Sequence, residues 1–160
     1  MKALLVSVAV LFAATSLYAQ TIKPGMSKHE IIDSLKAHRV WYKNMVNPPG
    51  NGPSSFITVE TMGYDGMEGK MEVQFTSEDK AAMVTYSFDA KSEADYNAYL
   101  AEREKLSGPA QKFVHDGTLA IWMQMNGGIM TTIGYDHEPK QMNISQMSMD
   151  LMKTIIYTPK

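Results

Sequence analysis

Apolar and polar positions alternate with a period of two over most of the chain, a pattern that predicts half-buried strands. It runs through Ile57, Val59 and Met62, then Met71-Val73-Phe75, Val84-Tyr86-Phe88, Leu119-Ile121-Met123-Met125 and Ile129-Thr131-Ile133-Tyr135. Between the last two runs stands Asn126-Gly127. Both residues tolerate positive φ, so the dipeptide predicts a tight hairpin. Pro48 to Pro53 and Asp136 to Pro139 supply further turns. Helical spacing replaces alternation in two places. Ser27 with Glu30 forms a capping box, Met26 and Ile31 are placed as a hydrophobic staple, and Ile31, Ile32 and Leu35 mark one face that ends near His38. Ser92-Glu93-Ala94-Asp95 opens a second helix, which spaces Tyr96, Tyr99, Leu100, Arg103 and Leu106 by three and four before Gly108-Pro109 stops it.

The pattern repeats. Thr61-Met62-Gly63-Tyr64-Asp65 recurs 71 positions later as Thr132-Ile133-Gly134-Tyr135-Asp136, and in the same register Met71-Glu72-Val73 meets Met142-Asn143-Ile144. Val84-Thr85-Tyr86-Ser87 then meets Ile155-Ile156-Tyr157-Thr158, so Met152 to Thr158 is expected to be a closing strand. The expected fold is α+β: two tandem helix-plus-four-stranded antiparallel units, 21–90 and 91–160, sharing one continuous sheet with the helices on one face. Each unit alone would bury a marginal core, and together they form one compact domain.

Residues 1–20 place Lys2 ahead of the apolar run Ala3 to Ala14, then small and polar residues ending at Ala19. This is the pattern of a secretory signal peptide and predicts a periplasmic or secreted protein. Charge adds little direction: 15 Lys+Arg against 17 Asp+Glu provide no footprint for nucleic acid, and no apolar run is long enough to predict a membrane span. The chain has no Cys, which removes disulfides, thiol catalysis and thiolate metal sites.

Of the 14 Met, Met123, Met125, Met130, Met142, Met147, Met149 and Met152 crowd the second half. Thioethers are soft ligands for Cu(I), and strand alternation puts Met123 with Met125, and Met147 with Met149, on common faces. Competing with this is the use of Met as a flexible core filler. His29, His38, His115 and His137 lie far apart, with no metal-ligand spacing, and Asp65 and Asp136 are matched turn residues rather than a carboxylate dyad. No nucleophile-base set can be assembled, so no enzyme activity and no cofactor are expected. Trp41, Tyr42, Tyr64, Trp122 and Tyr135 fall on strands or strand ends, where exposed aromatics would anchor a protein partner. Alternation alone leaves open whether Trp41 and Trp122 face a partner or the core.

With these residues in place, the organisation resembles the tandem helix-plus-four-strand arrangement of the β-lactamase-inhibitor-protein-like fold. The segment Gly25-Met26-Ser27-Lys28-His29-Glu30-Ile31 is similar to the helix start of small outer-membrane assembly proteins of the SmpA/OmlA group. The resemblance implies a non-catalytic exported module, an inhibitor, adaptor or envelope-assembly partner, that presents its exposed sheet face to another exported or envelope protein. The alternative reading is a Met-based binder of copper or a small ligand.

Overall fold

Helix α1 (Lys28–Ala37) begins where the capping box places it. The Ser27 N–H donates to Glu30 Oε2 at 2.7 Å, and the Glu30 N–H donates to Ser27 Oγ at 3.3 Å. The Ser27 hydroxyl also donates to Glu30 Oε2 at 2.7 Å, and this bond, together with that from the Ser27 N–H, holds the Glu30 carboxyl below the ordinary glutamate range. The chain just before α1 is tied to the sheet: Gly25 N–H donates to Ala81 O, and Ala81 N–H to Met26 O, each at 2.8 Å.

The computed structural model describes residues 22–47, 52–89, 92–107, 111–115, 119–138 and 140–156. The expected leader, 1–20, lies outside them. After α1 come β1 (Lys43–Val46), β2 (Ser55–Tyr64), β3 (Met67–Phe75) and β4 (Ala81–Asp89), then α2 (Glu93–Ser107). The chain continues through β5 (Gln111–His115), β6 (Leu119–Asn126), β7 (Ile129–Asp136) and β8 (Gln141–Ser148) to α3 (Met149–Ile156). The fold is therefore α+β, with one continuous antiparallel sheet of eight strands in the order β1-β2-β3-β4-β8-β7-β6-β5.

Turn chemistry explains the hairpins. Asp65-Gly66 joins β2 to β3, with φ of 52° and 78°, and Gly127-Gly128 joins β6 to β7, with φ of 56° and 79°. Both match the right-handed twist of the strands they connect. The second turn lies one residue later than the sequence suggests, because Asn126 pairs with Ile129 as the last rung of the ladder.

Strand alternation sorts the sheet into two faces. Ile57, Val59, Met71, Val73, Phe75, Val84, Tyr86, Trp122, Ile133, Tyr135 and Ile144 turn inward and form a single cluster with Ile31 and Leu35 of α1 and Tyr96 and Leu100 of α2. A bulge between Val59 and Met62 shifts β2 by one residue, so that Met62 and Tyr64 also point inward. Leu106, placed on the packing face of α2 by its spacing, is exposed instead.

The expected closing strand at Met152 to Thr158 is corrected by α3, which is helical to Ile156; residues 157–160 lie outside the described ones. The first turn provides the reason. Leu151 N–H donates to Ser148 Oγ, Asp150 sits at the positive end of the helix, and Lys153 reaches back to Asp150 at 3.1 Å. Leu151, Met152 and Ile155 stand at helical spacing, and a match to β4 by sequence offset does not override that. The four strands of the second half are completed by β5, which the alternation did not reveal. α3 packs beside β4 and β8, where Ile155 and Ala82 are buried outside the main cluster.

Candidate binding face

The face turned away from α1 and α2, here the far face, is where the strands leave side chains for a partner. Its rows follow from the register. One runs Lys43, Thr58, Glu72, Thr85, Ser145, Thr132, Met123 across seven strands. At the β1 end the face is hollowed into a cavity of about 340 Å³ lined by Lys43, Met45, Thr58, Glu60, Lys70 and Glu72, among others. Glu60 braces its floor, receiving Lys43 Nζ at 3.5 Å and Lys70 Nζ at 3.6 Å. These pairs are half exposed and contribute about 0–1 kcal/mol each. Their effect is to leave two Lys and two Glu nearly balanced at this end of the face.

Trp41 precedes β1 at this end of the sheet. It is 64% exposed, and Lys43 Nζ lies 5.4 Å from its ring centroid. Met45 and Val46 of β1 are also exposed, Met45 on the far face, where it lines the cavity, and Val46 on the opposite one by strand alternation. Tyr42 points the other way, half-buried against the core. The other three sequence-nominated aromatics are not on this face. Trp122, Tyr135 and Tyr64 are 1%, 2% and 6% exposed, all on the inward side. Tyr64 stacks on Tyr86 at 4.2 Å between centroids, and Tyr135 on Tyr96 at 5.4 Å. They are corrected to core residues, because α2 crosses over them and closes that side of the sheet to a partner.

The mooring of α2 is itself polar at one point. Arg103 Nη2 lies 2.9 Å from Asp65 Oδ2, the Tyr99 hydroxyl donates to the same oxygen at 3.0 Å, and Arg103 Nε–H donates to the Tyr99 oxygen at 2.9 Å. Asp65 therefore serves the helix across the β2–β3 turn. Asp136 has a separate use: it accepts the Glu138 N–H at 3.1 Å. Burial pushes the Tyr96 hydroxyl up to about 12 and Tyr99 well above its ordinary value. Raised tyrosines favour the protonated form in the folded state only. Their stabilisation is therefore complete below about pH 10, where the unfolded chain begins to ionise, and is lost as pH rises through 12. We expect the urea midpoint to be level from pH 7 to 9 and to fall above pH 10; a midpoint unchanged to pH 12 would contradict this.

Of the Met candidates, Met125 and Met147 fall in one row of the far face, linked through Met130; Met123 lies one row further along β6, and Met149 leaves the sheet as the first residue of α3. Met130, part of the crowded stretch, joins this group, and Met83 extends it and was missed, since nothing in linear spacing links Met83 on β4 to Met147 on β8. Register supplies that link. Among the described residues no three His, Asp or Glu side chains gather as metal ligands, and no helix is long and apolar enough to cross a membrane.

No family model matches the chain, and no curated protein or solved structure matches it.

Proposed function

We propose that this is an exported, non-catalytic protein-binding module that holds another exported or envelope protein against the far face of its sheet at the β1 end. Trp41 carries the reading. A tryptophan left 64% exposed, packed on Lys43 of the cavity wall at the same end of the face as exposed Met45, offers the large apolar anchor around which protein interfaces concentrate their energy. Balanced charge around Glu60 favours an association held by packing, with little dependence on salt. Lys2 and the apolar run behind it support export. The order of a helix and four strands, then a helix and four strands, supports two tandem units, and through them the resemblance to the inhibitor-like fold. The roles that fit are inhibitor, adaptor or envelope-assembly partner.

The test is recovery of partners from cell-envelope extract on the immobilised mature protein. A partner held by the wild type should be weakened at least about 30-fold by Trp41→Ala, equivalent to a hot-spot loss of about 2 kcal/mol. Lys36→Ala, on exposed α1 surface, should leave it unchanged. Recovery indifferent to Trp41→Ala would refute the assignment.

A further inference from the structure

Seven strands of the far face share a second row: Met45, Phe56, Gln74, Met83, Met147, Met130 and Met125. Its second half is four methionines side by side. Met83 on β4 is the direct partner of Met147 on β8, Met147 of Met130 on β7, and Met130 of Met125 on β6. Directly opposed residues point to the same side with Cβ atoms about 4.5–5.5 Å apart. That side is the far face, because the residues of opposite parity on these strands, Val84, Ile144, Ile133 and Trp122, are the ones buried in the core. Met125 is 54% exposed, and Met83, Met130 and Met147 are half-buried.

Strands favour β-branched and aromatic residues, and the adjacent row is Thr85, Ser145 and Thr132, the hydroxyls usual on a face that meets water. Met123 follows Thr132 in that row as a fifth thioether. A Met side chain has three rotatable bonds ending in a polarizable sulfur, so neighbours fixed at the backbone can turn their sulfurs toward one point. None of the four strands places a Lys or Arg in these two rows, and neutral thioethers bind soft ions where carboxylates and carbonyls select hard ones.

We infer that Met83, Met147 and Met130, with Met125 at the open end, form a thioether site for a soft monovalent cation, Cu(I) in the cell. The site is independent of the docking end at Trp41 and survives or fails apart from it.

Silver(I) is the probe, since it shares the ligand preference of Cu(I) without needing a reductant. One equivalent of Ag(I) added to the mature protein should move the ε-methyl NMR signals of Met83, Met130 and Met147 and leave those of buried Met62, Met71 and Met142 in place. Replacing the three by Leu keeps apolar volume. The triple variant should retain its circular dichroism spectrum and bind Ag(I) at least about tenfold more weakly, the lower end of what losing even an outer-sphere partner costs a metal site. Cu(I) held by ascorbate and a competing chelator should rank the variants in the same order. If the triple variant does not fold, Met130→Leu at the centre of the row is held to the same tenfold criterion. The site is overturned by unmoved methyl signals, by shifts confined to other methionines, or by a Leu variant that binds as the parent does.

Discussion

Trp122→Ala should lower the free energy of unfolding by about 3–5 kcal/mol, the range for removing a large buried aromatic, while Trp41→Ala should stay within about 0.5 kcal/mol. The two tryptophans differ by 1% against 64% exposure, so the same substitution removes a core element in one case and a solvated surface group in the other. Trp122 on β6 is paired across to Ile133 on β7 and lies beside a small cavity of about 180 Å³ whose walls include Tyr64, Ile133 and Ile144. Deleting the indole would enlarge a space the neighbours already fail to fill. The indole Nε1–H is buried and makes no hydrogen bond to any described residue, an arrangement that itself opposes folding. Trp122→Phe should therefore cost clearly less than Trp122→Ala. Urea midpoints of the three variants decide it; equal losses at both tryptophans would place Trp41 in a core as well.

Gly69→Ala should be destabilising by about 1–3 kcal/mol, although alanine is normally the easier residue to order. Gly69 sits on β3 opposite Met62, facing inward. A Cβ there would run into the Ser87 carbonyl oxygen and the Phe88 ring. The ring can turn aside, but the carbonyl belongs to the backbone of β4 and is held by the ladder with β3, where Ser87 pairs with Lys70. Relief would have to come from moving two strands apart. Denaturant unfolding reads the effect directly, and a neutral Gly69→Ala would show that the β3–β4 seam yields easily.

How much of this was legible in the chain depends on whether a feature is local. The capping box at Ser27 and Glu30 fixes the start of α1 through contacts within one turn, and sequence shows it directly. The β6–β7 hairpin announces itself through its glycines, although Asn126-Gly127 marks it one residue early, and Asp65-Gly66 takes the same positive φ without having been singled out as a hairpin. Alternation gives the parity of a strand but not its sign, which is why Trp41 and Trp122 carry similar sequence signals and opposite burial. The sign is set by α2, whose Tyr96 and Leu100 arrive from another part of the chain. Helix α3 was misread because its β-branched residues suit a strand, and its helical start rests on the Ser148 side chain at the end of β8. β5 has five residues, too few to establish a period. The row from Met83 to Met125 exists only across strands, so no window along the sequence contains it.

The meeting of β4 with β8 has a kinetic meaning. Every other strand pairing joins neighbours in sequence, from β1 with β2 through β7 with β8, and can close as a hairpin or short loop. The β4–β8 seam instead brings together residues about sixty positions apart, such as Thr85 and Ser145, whose hydroxyls meet at 3.0 Å. Closing it costs the loop entropy of everything between, α2 included, before any of its hydrogen bonds form. It therefore raises the contact order of a sheet whose other strand pairings are all local, and slows the folding of the chain accordingly.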